Sequence, residues 1–134
     1  MPRVVIDTDV ASAIQKGRTP AWVAQAILGR EVWLTFIAVG ELAKWAEVRS
    51  WGAPARRRLD AWLEGRPIIP YDLKAARTWG VLAAAAQRRG RPRPQNDMWV
   101  AACCIRHQLP LVTLNQKDFV DFRQDGLQLV EPPE

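Results

Sequence analysis

The sequence predicts an α/β domain with a mainly parallel sheet, and three observations carry that prediction. Short apolar runs alternate with helical stretches along the whole chain. The runs are rich in β-branched residues and stop abruptly at polar ones, as buried parallel strands do: V-V-I ends on Asp7, and L-V-T-L ends on Asn115. No repeat, low-complexity block or linker divides the 134 residues, so a single domain over residues 1–134 is expected.

Punctuation residues place the elements in order. Val4–Ile6 is the first strand, and a short helix follows over Val10–Gln15, ending at Lys16-Gly17. Thr19 reads as an N-cap with Pro20 at the first helical position and Gly29 as the stop. Glu31–Phe36 is the second strand, and Ala38–Arg49 a helix that stops before Gly52. Pro54 opens another helix, which ends at Gly65, and Pro67 and Pro70 frame a very short strand, Ile68–Ile69. Asp72 caps a long alanine-rich helix reaching about Arg89, with Gly90 as its end. An arginine-proline loop leads into a helix that starts near Asn96–Asp97 and runs to His107. Leu111–Leu114 is another buried strand and Leu127–Val130 the last. Of the seven tryptophans, Trp22, Trp45, Trp62, Trp79 and Trp99 fall on expected helices and read as packing core, while Trp45 and Trp51 could also serve a subunit interface.

Composition narrows the function. No segment has the length and purity of a membrane span, and Asp7 and Asp9 interrupt any apolar signal region, so a cytoplasmic protein is expected. A net charge of +5 favours an anionic partner, nucleic acid or an acidic protein. The excess is mostly arginine, in two clusters: Arg56–Arg58, and Arg88, Arg89, Arg91 and Arg93. Arginine forks onto phosphate. Arg56–Arg58 could equally be a solvated helix face; that plainer reading is weaker for the run from Arg88 to Arg93. Cys103 and Cys104 are adjacent, lack a zinc-site spacing, and read as small buried residues. A single histidine, His107, on a polar helix end argues against a Ser/His/Asp triad. Carboxylates remain.

In open α/β sheets, sites form outside the carboxyl ends of the strands. Asp7 ends the first strand, Glu41 lies on the helix after the second, Asp97 opens a largely apolar helix, and Asp118 follows the strand Leu111–Leu114. Gathered at one sheet edge, these acids would repel one another unless a cation sat between them, and Mg²⁺ or Mn²⁺ suits oxygen ligands. Each acid has a plainer reading. Asp7 and Asp97 could be N-caps, Glu41 could pair with Lys44 on its own helix, and Asp118 could cap a turn.

Taken in series, I-D-T-D-V, the E-L of the second helix, N-D-M-W-V-A-A and L-V-T-L-N-Q-K-D-F resemble the PIN domain, and within it the VapC-type toxins of toxin–antitoxin pairs. The resemblance spans nearly the whole chain. It implies a three-layer α/β/α fold and an endoribonuclease that uses Mg²⁺ or Mn²⁺. A metal-activated water would attack phosphorus in line, leaving a 5′-phosphate and a 3′-hydroxyl. Asp7, Glu41 and Asp97 match the family's core acids; Asp118 or Asn115 fills the fourth position, with Thr113 in support. Asp9 stands where asparagine is frequent, and Gly40 precedes the glutamate at some cost in helix stability. The resemblance also implies an antitoxin partner and a homodimer, for which Trp45–Trp51 is the candidate surface. Arg89, Arg91 and Arg93, on a loop expected to be exposed, would contact the RNA backbone. Asp97, at a helix N-terminus, would be held ionised by the helix dipole.

Two other readings remain. D-T-D-V also fits the signature of haloacid-dehalogenase-like phosphatases, in which Asp7 would attack as a nucleophile and Asp9 would be the general acid. Against it, the usual late acidic pair is missing and the chain is short for that fold plus a cap. A non-catalytic module could bind RNA or protein through the basic surface, but the presence of all three core acids speaks against it.

Overall fold

Val4, Val5 and Ile6 are wholly inaccessible to solvent, and the molecule is built outward from them. The structure is a computed structural model and describes residues 1–133; Glu134, at the end of the expected domain, lies outside the described residues. Strand β1 (Arg3–Ile6) is flanked by β2 (Glu31–Thr35) on one side and β4 (Leu111–Val112) on the other, and β3 (Ile68–Ile69) pairs with β2. The order is β3-β2-β1-β4 and every pairing is parallel, with Val5 opposite both Trp33 and Leu111.

Because side chains alternate across a strand, β1 feeds two cores. Val4 and Ile6 join Leu34 and Val112 under helices α1 (Thr8–Gln15), α2 (Ala21–Ile27), α3 (Phe36–Val48) and α4 (Ala53–Glu64). On the other face Val5 joins Ile69 and Leu111 under α5 (Leu73–Arg88) and α6 (Gln95–His107). Each such side chain contributes about 1.5–3 kcal/mol of burial. The result is the expected three-layer α/β/α arrangement. No helix among the described residues is long and apolar enough to cross a membrane.

Several boundaries differ from expectation, each for a local reason. Helix α1 begins at Thr8 because Asp7 is its N-cap, accepting from the Thr8 amide at 2.8 Å. Pro20, not Thr19, precedes α2, and Pro94 precedes α6, so Asp97 lies inside the first turn instead of capping it. Thr35 caps α3 through the Ala38 amide, which starts that helix at Phe36. The expected last strand is reduced to one bridge, Leu111 with Leu129. Between β4 and that bridge lie a short helix α7 (Gln116–Phe119) and a 3-10 helix (Val120–Asp125), neither expected from sequence. They exist to seat Phe119 and Phe122, both fully buried and packed edge to face.

The arginine loop is also corrected. Arg89 Nη2 meets both carboxylate oxygens of Asp125 at 3.0 Å, Arg91 Nε meets Asp121 at 2.8 Å, and Arg93 Nη2 lies 3.6 Å from Asp118. Arg89 and Arg93 are therefore largely covered, at 24 % and 18 % side-chain exposure; only Arg91 stays open to solvent. Trp45 and Trp51 are half-buried against the core beneath α1–α4.

Candidate active site

The sheet order reverses between β1 and β4, since the chain leaves β1 toward β2 and returns on the far side. Such a switch point opens a crevice at the carboxyl ends of the strands. Asp7 and Thr113 stand on its two sides, and the Thr113 hydroxyl donates to Asp7 Oδ2 at 2.9 Å. Asp7 is only 6 % exposed and Thr113 is buried. The same hydroxyl lies 3.5 Å from Asp9 Oδ2, which also accepts from the Leu114 amide at 3.2 Å. Asp9 Oδ1 is buried with no partner among the described residues.

Glu41 reaches the crevice from α3. Its Oε1 accepts from the Thr8 hydroxyl at 2.6 Å, and its Oε2 lies 3.4 Å from Asn96 Nδ2 on α6. Among the described residues no Glu41–Lys44 ion pair forms. Thr8 and Asn96 are the two site neighbours that sequence reasoning missed. The signal for Thr8 was a hydroxyl beside Asp7 in the first turn of a helix. Asn96, next to Asp97 in N-D-M-W, offered only its adjacency.

Electrostatics tie the acids together. Burial, then the charge of Asp9, pushes the Asp7 carboxyl up to about 7, against the pull of its hydrogen bonds from Thr8 and Thr113; Asp97 adds to the rise. Burial likewise raises Asp97 to about 6, with Asp118 and Glu41 reinforcing and Arg93 opposing. Asp9 is raised as well, mainly by burial. The helix dipole expected to hold Asp97 ionised is outweighed by desolvation and like charge. Asp118, on α7, stands beside Arg93, and the Asn115 side chain makes no capping bond, while the Asn115 backbone N–H donates to Thr113 Oγ1 at 3.1 Å.

The donor set is all carboxylate and hydroxyl oxygen, includes one orphaned buried oxygen, and carries mutual repulsion that a cation would relieve. That chemistry fits a hard divalent ion. The acids do not close into a ready-made cage: among the described residues no three His, Cys, Asp or Glu side chains group tightly enough to hold a metal as they stand. Thiolate chemistry has no support here, since Cys103 and Cys104 are free and buried, and burial pushes the Cys103 thiol up to about 12.

A parallel sheet with acids at its switch point defines the class of protein, and comparison with known proteins makes it particular. The family model for the PIN domain matches residues 4–124. The chain is 31 % identical to ribonuclease VapC5 of Mycobacterium tuberculosis, over 95 % of this chain and 91 % of that one. It superposes on VapBC-5 of the same organism, described as a member of the VapBC family of toxin-antitoxin systems, with a TM-score of 0.71 at 26 % identity, covering 98 % and 99 % of the two chains. The fold also matches VapBC2 of Rickettsia felis bound to a promoter DNA fragment, with a TM-score of 0.82 at 20 % identity over 95 % and 96 %. The chain belongs to the PIN domain family, and within it to the VapC-type proteins of toxin–antitoxin systems.

Proposed function

We propose that this protein is a metal-dependent endoribonuclease and the toxin of a type II toxin–antitoxin pair. The observation that carries the reading is the grouping of Asp7 and Asp9 around the Thr113 hydroxyl at the switch-point crevice, with Glu41 tied in through Thr8, and with Asp97 raised, like Asp7, by burial and neighbouring acids. The ribonuclease name of a 31 % identical relative supports it.

Asp7, Glu41 and Asp97 hold Mg²⁺ or Mn²⁺ in this proposal, with Asp118 or Asn115 at the fourth position. When bound, the ion supplies Lewis acidity at the phosphodiester and a more acidic water. The protein's own residues set the geometry. Thr113 fixes Asp7 and Thr8 fixes one oxygen of Glu41, so both carboxylates are oriented before any ligand arrives. Asp9, held by Leu114 and Thr113, adds negative charge near the centre. Arg93, close enough to influence both Asp97 and Asp118, offsets part of the negative charge of the site. The protein acts in the cytoplasm as a homodimer beside a neutralising antitoxin.

The phosphatase reading asks Asp7 to attack phosphorus. Asp7 is 6 % exposed, engages both oxygens in hydrogen bonds, and is raised toward the protonated form, all of which disfavour a nucleophile. The test is incubation of purified protein with structured RNAs in Mg²⁺, in Mn²⁺ and in EDTA. Cleavage in both metals and none in EDTA is expected. Cleavage that survives EDTA overturns the metal site.

A further inference from the structure

The arginines of the loop face carboxylates, whereas four of the cations that form no ion pair among the described residues lie together. Lys16, at the C-cap of α1, and Arg18, Arg49 and Arg58 are exposed, and none forms an ion pair among the described residues. They gather at two adjoining hollows. The first, of about 320 Å³, is walled by Asp9, Ser12, Lys16, Arg18, Trp45 and Arg49. The second, of about 450 Å³, shares Lys16 and continues past Trp51 to Arg58. Asp9 therefore belongs both to the carboxylate crevice and to the near end of this trench. Helix α1 spans the distance between Asp7 and Lys16, about 12 Å for its eight residues.

We propose that this trench is the track for single-stranded RNA leading away from the scissile phosphate, with Lys16 and Arg49 on backbone phosphates and Trp51 offering a face to a base. The proposal rests on the ribonuclease reading and adds where the substrate lies. Cations that lack acidic partners are the ones able to release counterions from a polyanion. Single-strand grooves combine such charge with aromatic platforms. Arg49 stacks its guanidinium over Trp45, 4.9 Å from the ring centroid, so the ring holds the charge in the trench. A second copy of this chain fits the trench less well. A two-fold interface would set the positive patch of one copy against the same positive patch of the other.

The test is fluorescence anisotropy of a labelled single-stranded RNA octamer with the full chain in EDTA, across a salt series. Lys16→Gln and Arg49→Gln should each weaken binding about 5–10-fold and reduce the salt slope by about one. Trp51→Leu should weaken binding while leaving the slope unchanged. Arg91→Gln should change affinity less than twofold. Trench variants that bind like the wild type, or an Arg91→Gln loss larger than theirs, overturn the proposal. So does displacement of the RNA by an acidic decapeptide at equal concentration, which would mark a protein-docking site. A change in sedimentation with unchanged RNA affinity in the same variants would mark a subunit interface and also overturns it. Failure of the wild type to bind any RNA is a separate result, and it overturns the ribonuclease reading itself.

Discussion

Two regions of this molecule carry the same positive charge and differ in what faces it. In the loop between α5 and α6, Arg89, Arg91 and Arg93 meet Asp125, Asp121 and Asp118 in turn, tying the loop to α7 and the 3-10 helix. Along α1, α3 and α4, Lys16, Arg49 and Arg58 are exposed and form no ion pair among the described residues, and Arg49 lies over the Trp45 ring. The first arrangement pairs its charge with carboxylates, and the second leaves its charge without ion pairs among the described residues. Clustering in sequence does not distinguish them. Pairing does, because a cation held by its own carboxylate has less to gain from a phosphate.

The acids between the two regions show the same contrast, and they give the largest expected effect. Arg93 opposes the rise of Asp97, whereas no cation counters that of Asp7. The folded Asp7 carboxyl is raised from 3.8 to about 7. Below about pH 4 it is protonated in both folded and unfolded chains and costs nothing. Between pH 4 and 7 the unfolded chain releases its proton while the folded one keeps it, so metal-free stability falls as pH rises, and the loss is complete above 7. Asp7→Asn removes that loss while retaining the cap on Thr8. Urea denaturation in EDTA should show the variant more stable by about 2–4 kcal/mol at pH 8 and unchanged at pH 4. An equal offset at both pH values would mean that charge is not the cause.

The paired loop breaks next. Arg89→Ala leaves Asp125 mostly covered and unpaired, and should lower stability by about 1–3 kcal/mol. Arg49→Gln loses one exposed contact with Trp45 and should stay within about 0.5 kcal/mol of wild type. The two substitutions thus separate in thermal unfolding in the opposite order from RNA affinity. A smaller effect sharpens the contrast inside the loop itself. Arg91 is 60 % exposed, so Arg91→Gln should cost no more than about 1 kcal/mol, and 1 M salt should abolish the difference.

Much of this was legible in the sequence because it is written in local chemistry. Val4–Ile6 running into Asp7, and Gly, Pro and Asp bracketing the helices, report on residues within a turn of one another. The crevice could be placed because strand ends in a parallel sheet share one edge. The pairing of the arginines could not, since Arg89 and Asp125 lie 36 residues apart and Arg91 and Asp121 lie 30 apart. Nor could α7 and the 3-10 helix, whose only mark is Phe119 and Phe122 at a three-residue spacing. Thr8 carries no mark in the sequence beyond its place between two acids. Its hydroxyl orients Glu41 across 33 residues of sequence.

The central claim, that Asp7, Glu41 and Asp97 form one metal-dependent site, is tested most directly by cleavage of a labelled RNA in saturating Mn²⁺ by three variants side by side. Asp7→Asn and Asp97→Asn each remove a charge that the cation needs, and both should lose activity by at least about 100-fold, or about 2.7 kcal/mol in the barrier. Asp9→Asn keeps an acceptor for the Leu114 amide and should lose less than about tenfold. Abolition of cleavage by Asp9→Asn, with Asp97→Asn retaining it, would contradict the account.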